Sequence, residues 1–213
     1  MNNLLQSNPM DNPSTPTQIE LSESELTPVE QKPVWQSAFS EIIQTLLLAL
    51  LLYFAIDAVF ARVRVVNISM QPTLYEGNII LVNKLAYKIG KMDTGDIVIF
   101  HNPSDLSEDY IKRLIGLPGD LVQVHSGVVF VNGNPLAEPY IAALPQYTGE
   151  WYVPEDSVFV LGDNRNQSSD SHSWGFVPLE DLVGKALVVY WPLDSAKIIS
   201  HPDLVLARGN TSP

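Results

Sequence analysis

The sequence predicts a mainly β protein in which a single N-terminal transmembrane helix is followed by a mostly antiparallel β-sheet domain. Residues 39–60 form an apolar run long enough to cross a bilayer. After residue 61, short β-branched segments alternate with glycine and proline, as in a chain of strands and turns. The predicted divisions are a disordered tail at 1–35, a membrane anchor at 36–60, a β-rich domain at 61–200 and a C-terminal tail at 201–213.

The first 35 residues have the composition of a disordered segment. They are rich in Asn, Ser, Thr, Pro and Glu and contain almost no aromatic side chain. Such a segment cannot bury enough apolar surface to offset the entropy lost on ordering. We therefore expect no folded structure before the anchor.

The apolar run at 39–60 is predicted to be an uncleaved anchor. As a helix, its 22 residues would span about 33 Å, which matches the hydrocarbon core of a bilayer. The uncharged centre, residues 42–56, is only 15 residues long, so Glu41 and Asp57 should lie near the two interfaces. A buried helix of a soluble protein is one alternative. A cleaved signal peptide is another, but the run lacks a positive n-region and lies far from Met1.

The basic residues beside the anchor bear on its orientation. Lys32 precedes the run, whereas Arg62 and Arg64 follow it directly. By the positive-inside rule, this small excess favours the C-terminal part in the cytoplasm.

The domain after the anchor is predicted from short β-branched runs, which alternate only in part, and from the glycine and proline residues between them. The pair Ser126-Gly127 between two short apolar runs is typical of a β-hairpin. No long amphipathic helix is expected after the anchor. The predicted strands are 62–68, 78–82, 96–101, 110–115, 121–125, 128–131, 156–161 and 185–191.

Composition excludes several classes of function. The net charge of −12, with no basic stripe, argues against a nucleic-acid partner. The absence of cysteine excludes disulfides, thiolate zinc sites and cysteine nucleophiles. No metal site is expected, because four scattered histidines lack metal-ligand spacing: His101, His125, His172 and His201.

Ser69 is the first candidate for chemistry. It follows a predicted strand and precedes Pro72, which cannot continue ladder pairing. A strand exit is a place where a side chain can face a cleft. The alternative is an ordinary turn serine.

Lys112 is the second candidate. If residues 110–115 form a strand, Lys112 shares one face with Tyr110 and Leu114, and Arg113 lies on the other. Desolvation penalises the ammonium form, and a neutral amine can act as general base for a serine. The alternative is a lysine whose ammonium group reaches water beyond the sheet.

The polar loop at 162–175 follows an apolar predicted strand, which is a common position for a functional loop. Ser168 or Ser169 could orient an amine, and Asp170 could pair with Arg113.

A Ser-His-Asp triad that uses His172 is a rival hypothesis. Its members within 162–175 crowd into one loop, so it would need a partner from elsewhere in the chain.

Together these segments resemble the bacterial type I signal peptidases, which are membrane-bound serine–lysine leader peptidases. The resemblance covers roughly residues 36–192. Four segments in this order, behind an apolar anchor, contain the residues that match the motifs of that family, although not every position within them matches: 69–74 (SMQPTL), 95–98 (GDIV), 110–120 (YIKRLIGLPGD) and 162–175 (GDNRNQSSDSHSWG).

The resemblance implies roles for individual residues. Ser69 would be the nucleophile, with its backbone N–H supporting the oxyanion, and Lys112 would be the general base. Ser168 would orient the lysine amine. The remaining implied residues are Asp170 and Arg113, which would hold the site together, and Met70, Leu74, Tyr110 and Ile111, which would line a shallow substrate pocket.

Two positions depart from the family pattern. Asn67 stands where the family often has serine or glycine, and its amide could donate to the oxyanion in place of a hydroxyl. His172 stands where the family usually has arginine, which changes the local ion pairing. Neither departure touches Ser69 or Lys112.

The resemblance implies a serine endopeptidase without a cofactor that removes signal peptides from exported preproteins through an acyl-enzyme. Small residues would precede the cut. The catalytic domain would lie on the non-cytoplasmic side of the cell membrane, or of a thylakoid or other internal membrane, against the weak count of basic residues.

Two rivals differ in class. A self-cleaving repressor-type peptidase would share the serine and lysine but needs neither an anchor nor the segment at 162–175. A membrane-tethered binding module without activity would have no need of both Ser69 and Lys112.

Overall fold

A computed structural model of the protein describes residues 34–103 and 105–199. The C-terminal tail predicted at 201–213 lies outside the described residues. So does the predicted disordered tail, except for Val34 and Trp35, which begin the first helix.

Helix α1 covers Val34–Val59. Its segment Ala38–Val59 is long and apolar enough to cross a membrane, and none of it is buried in the protein. A run of leucines with solvent-facing side chains on every side is typical of a helix whose surroundings are lipid. Phe60, which the sequence pattern places in the helix, instead begins the first strand.

A large antiparallel sheet forms the centre of the domain. Its strands are β1 (Phe60–Arg64), β2 (Ile79–Asn83), β3 (Ile97–Asn102), β4 (Asp105–Gly116), β9 (Ser157–Leu161), β10 (Val177–Pro178), β11 (Leu182–Trp191) and β12 (Lys197–Ile198). The strand order is β1-β2-β11-β3-β4-β9-β10, with β12 paired to β11.

A second antiparallel sheet has the order β7-β6-β5-β8. The predicted hairpin is confirmed, since Ser126 and Gly127 join two of these strands with φ angles of 52° and 76°. The strands are β5 (Leu121–His125), β6 (Val128–Val131), β7 (Asn134–Pro135) and β8 (Gly149–Tyr152).

The described helices after the anchor are short. They are α2 (Ala86–Ile89), α3 (Ser171–Trp174) and two 3₁₀ turns at Leu179–Asp181 and Leu193–Ser195. The predicted fold class, one apolar helix followed by a mostly antiparallel β domain, is confirmed.

The observed strands differ from the pattern in two ways that matter for the site. β1 ends at Arg64, so Ser69 lies in a turn four residues beyond Val65 and not at a strand exit. β4 begins at Asp105, which makes it the longest strand of the domain. The polar residues at its start carry no apolar alternation, and pairing with β3 holds them in the sheet.

Candidate active site

The turn that carries Ser69 is closed by backbone hydrogen bonds and anchored in the core. Val65 N–H donates to Asn78 O at 2.9 Å, and Gly77 N–H donates to Val65 O at 2.9 Å. Met70 and Leu74 are fully buried in one apolar cluster. These contacts fix the turn on both sides, so Ser69 has a defined position and is only 6% exposed.

Lys112 lies in the middle of β4, opposite Val98 of β3. Its side chain is 2% exposed. The Nζ donates to Ser69 Oγ at 2.9 Å and lies 5.3 Å from the centre of the Tyr110 ring. The structure therefore joins the two residues that the sequence separates by 43 positions.

Burial changes the acidity of Lys112. Desolvation lowers the pKa of the amine from 10.5 to about 8, although the negative charge of Asp170 acts in the opposite direction. A group with a pKa near 8 is neutral in roughly one molecule in ten at pH 7. The environment thus supplies a partly neutral amine in contact with a hydroxyl.

Asn67 contacts Ser69 from the exposed side. Its Oδ1 accepts from Ser69 Oγ at 2.8 Å and from the Ser69 backbone N–H at 3.2 Å. In this arrangement the amide oxygen faces the serine. The oxyanion donation by Asn67 stays a prediction, because it requires the Nδ2 end of the amide to face the substrate.

The loop at 162–175 meets the Ser69 turn directly. Asn164 N–H donates to Ser69 O at 2.9 Å. Ser168 Oγ is buried and has no hydrogen-bond partner among the described residues. It lies against Gly162, beside the Ser69 carbonyl, since a Cβ added to that glycine would meet both. An unpaired buried hydroxyl at this place is available to an approaching amine.

Asp170 is fully buried at the start of α3. Its Oδ2 accepts from Gly162 N–H at 2.8 Å. Its Oδ1 lies 2.6 Å from His172 Nδ1. The carboxylate therefore ties both ends of the loop together and acts on the Lys112 amine through its charge.

The predicted pairing of Arg113 with Asp170 is wrong, because Arg113 pairs with Asp163. The guanidinium donates to Asp163 from Nε at 2.7 Å and from Nη2 at 2.6 Å. Arg113 points to the opposite face of β4 from Lys112, and its register partner is Leu161 at the end of β9. Asp163 follows that strand end by two residues and is therefore adjacent, whereas Asp170 lies on the Lys112 side.

Further hydrogen bonds lock the Arg113 pair to the serine turn. Thr73 Oγ1 donates to Asp163 Oδ2 at 2.5 Å, and Arg113 Nη1 donates to Gly95 O at 2.8 Å. The sequence signal for Asp163 was its place in the matched segment at 162–175. Together these hydrogen bonds connect all four matched segments around Ser69 and Lys112.

Tyr140 has no signal in the sequence. Its ring centre lies 3.8 Å from Arg113 Cζ and 5.9 Å from Arg165 Cζ. Arg165 pairs with Glu138 at 2.6 Å. The chain before β8 thus covers the back of the site, a contact that only the tertiary structure specifies.

Among the described residues, no hydrogen bond joins a serine of the loop at 162–175 to the His172 ring, so the rival triad is not assembled. Ser69 Oγ contacts Lys112 and Asn67, whereas His172 contacts Asp170 and stacks on Tyr147 with ring centres 4.0 Å apart. In the described part of the chain, no group of three acidic or histidine side chains could hold a metal ion.

A serine hydroxyl in contact with a buried amine has the arrangement of a nucleophile beside a base, which is typical of enzymes that act through an activated serine. Comparison with known proteins narrows this class. The family model described as signal peptidase, peptidase S26, matches residues 39–191. The chain belongs to this family, and the predicted hydrolase class is confirmed.

Individual relatives agree with the family. The chain is 43% identical over 185 residues to signal peptidase I of Leptolyngbya laminosa, which covers 82% of this chain and 91% of that protein. It is 42% identical over 173 residues to probable signal peptidase I-2 of Synechocystis sp., and this match covers 78% of this chain and 79% of that protein. It is 38% identical over 152 residues to thylakoidal processing peptidase 1 of Arabidopsis thaliana, which covers 66% of this chain and 45% of that protein.

Proposed function

We propose that this protein is a membrane-anchored endopeptidase that removes N-terminal signal peptides from exported preproteins. Ser69 is the nucleophile and Lys112 is the general base. The observation that carries the proposal is the 2.9 Å contact between Lys112 Nζ and Ser69 Oγ, made by a lysine residue that is 2% exposed.

The proposed reaction depends on the neutral form of the Lys112 amine. Neutral Lys112 takes the Ser69 hydroxyl proton while Oγ attacks the scissile carbonyl carbon. The resulting ammonium then protonates the leaving amine, which frees the mature protein and leaves the signal peptide esterified to Ser69. A water molecule that loses its proton to Lys112 hydrolyses the ester and restores both residues.

Asn67 and the Ser69 backbone N–H are the proposed oxyanion donors. In the structure both Ser69 protons face Asn67 Oδ1. Bound substrate must therefore displace this oxygen from the serine. Because Asn67 is exposed, its amide can rotate so that Nδ2 donates to the developing negative charge.

The proposed substrate pocket has a closely packed floor. Met70 and Leu74 are fully buried, and Ile111 is 5% exposed. Tyr110 is half-buried beside Lys112. A pocket above so tightly packed a floor has little depth, which supports small residues before the cleavage site.

Ser168 and Asp170 have supporting roles in this proposal. Ser168 Oγ, which is buried and unpaired among the described residues, accepts from the Lys112 amine and orients it during the reaction. Asp170 and the Arg113–Asp163 pair hold the matched segments in register.

Helix α1 provides the proposed membrane attachment as a single span, with the bilayer as its partner. The catalytic domain works on the non-cytoplasmic side of the cell membrane or of a thylakoid membrane, where cleavage sites emerge. The bacterial signal peptidases and the thylakoidal peptidase among the relatives support both locations.

Cleavage of a purified model preprotein, with N-terminal sequencing of the product, tests the proposal. We expect one cut after a small residue and essentially no cut by Ser69→Ala, because loss of a serine nucleophile costs several orders of magnitude in rate, on the order of 10⁶. Ser157→Ala is a matched control, since Ser157 is 7% exposed and lies at the far end of β9. Near-normal cleavage by Ser69→Ala would refute the proposal.

A further inference from the structure

His172 is a titratable group that the reaction above does not use. It lies in α3, with its ring held between two partners. On one side Nδ1 contacts Asp170 Oδ1 at 2.6 Å. On the other side the ring stacks on Tyr147, with an angle of 8° between the ring planes. Such a fixed ring has a specific orientation toward the buried carboxylate.

The direction of the hydrogen bond follows from the partners. An ionised carboxylate accepts only, so the imidazole donates through Nδ1–H whether the ring is neutral or charged. The backbone N–H groups of Gly162 and His172 also donate to Asp170, at 2.8 and 3.3 Å. The ring is therefore the side-chain donor that offsets the negative charge of Asp170.

Asp170 in turn acts on the base of the reaction. Its charge stabilises the ammonium form of Lys112 and so opposes the desolvation that favours the neutral amine. Any group that draws charge from this carboxylate weakens that opposition. His172 is such a group, because its ring contacts the Asp170 carboxylate directly.

The other ionisable groups near His172 and Asp170 do not take over the role of offsetting the Asp170 charge. Tyr147 lies close enough to Asp170 for the carboxylate charge to act on it, but burial raises the pKa of its phenol well above the ordinary value. The Tyr147 phenol therefore stays neutral over the pH range in which the enzyme is active. Behind it, Arg165 is neutralised by Glu138 at 2.6 Å.

We propose that His172 is a positioning residue that acts through Asp170 to set the pH at which Lys112 becomes an effective base. This inference rests on the proposed function of Lys112. Donation from Nδ1–H places a partial positive charge against the carboxylate, and this offsets part of the negative charge that holds the proton on the lysine. The histidine thereby extends the activity of the enzyme toward neutral pH.

The test is the pH dependence of kcat/KM for cleavage of a model preprotein by the full-length protein in detergent. His172→Phe keeps a ring to stack on Tyr147 but removes the donor. We expect the acid limb of the profile, the range in which kcat/KM rises with pH, to move to higher pH by about half a unit. At a fixed pH on this limb, kcat/KM should then be about threefold lower than in the wild type. The plateau at high pH should stay near the wild-type value.

His172→Arg gives a second arm with a permanent positive charge beside Asp170. We expect this variant to move the limb to lower pH than in the wild type. Tyr147→Phe, which keeps the stacked ring, is the matched control and should leave the limb in place. If His172→Phe does not fold, as judged by thermal unfolding, the arginine variant carries the test.

A double-mutant cycle separates this effect from a structural one. In an Asp170→Asn background, His172→Phe should no longer move the limb, because the carboxylate charge is absent. An unmoved limb in both single variants, an equal loss of rate at every pH, or a shift that persists without Asp170 would each overturn the inference. Failure of the proposed function is recognised separately, by an active Ser69→Ala enzyme.

Discussion

At the scale of single residues, Lys112 combines two properties that conflict in most proteins. Its amine is almost inaccessible, yet it retains a hydrogen-bond partner in Ser69 Oγ. Burial of a cation is unfavourable, so desolvation lowers the pKa of the Lys112 amine to about 8. The neutral form of the amine is thereby favoured, and no ion pair to Lys112 is found among the described residues. A buried lysine with a lowered pKa is typical of a functional site.

Asn67 allows a prediction at this scale. If its amide supports the oxyanion, Asn67→Ala should lower kcat by about 10²–10³ while KM changes little. Asn67→Ser should keep much of the rate, because a hydroxyl can also donate. Steady-state kinetics on a model preprotein measures both values. An unchanged kcat in the alanine variant would leave the Ser69 backbone N–H as the remaining donor.

The residues that the sequence could predict are those whose chemistry is visible in a short motif. Ser69 and Lys112 stand in such motifs, and the structure brings them together. The partner of Arg113 could not be predicted in the same way. Asp163 and Asp170 both stand in the loop at 162–175, and only the register of β4 on β9 decides which of them the guanidinium reaches.

At the scale of elements, the site is the meeting point of the Ser69 turn, the centre of β4 and the loop after β9. Asn164 N–H bonds to Ser69 O, and Asp170 bonds to Gly162 N–H. These contacts pack the loop against the turn without space between them. The alignment of nucleophile and base therefore depends on the close approach of backbone segments.

Gly162 tests this dependence. A Cβ at this position would meet Ser168 Oγ and the Ser69 carbonyl oxygen, so Gly162→Ala must push the loop away from the turn. We expect kcat to fall by about 10²-fold, since small misplacement of reacting groups is costly. Preprotein cleavage measures the effect, and circular dichroism checks the fold.

Gly133→Ala is the matched control for this change. Gly133 has a φ of 77° but nothing within 4 Å of an added Cβ, and it lies in the turn between β6 and β7. It should cost about 1 kcal/mol of stability through backbone strain alone. Full activity of Gly162→Ala would contradict the proposed tight contact.

The sequence predicted most of the central strands but not their exact ends. Short apolar runs rich in β-branched residues indicated the segments that become β2, β3, β5, β6 and β9. The strand β8 was missed, because its four residues, GEWY, carry no alternation and are held by pairing with β5. Residues 65–68 were predicted as strand for their β-branched composition, yet they begin the turn that presents Ser69.

At the scale of the whole molecule, an apolar helix precedes an acidic β domain in one chain. The proposed topology puts the domain after residue 61 on the non-cytoplasmic side, against the local excess of Arg62 and Arg64. Protease added outside right-side-out vesicles should digest the domain, because it would be accessible without lysis. Protection until the vesicles are lysed would invert the topology and contradict the preprotein assignment.

The central claim is that Lys112 acts as a base and not merely as a positive charge. The most direct test is the initial rate of preprotein cleavage by Lys112→Arg. Lys185→Arg is the control, because Lys185 pairs with Asp96 at 2.5 Å and has no proposed role in the reaction. Arginine keeps the charge but cannot lose its proton at working pH. We predict that Lys112→Arg is nearly as inactive as Lys112→Ala at every pH, while Lys185→Arg and the wild type gain activity as the pH rises through about 8. Substantial cleavage by Lys112→Arg would contradict the account.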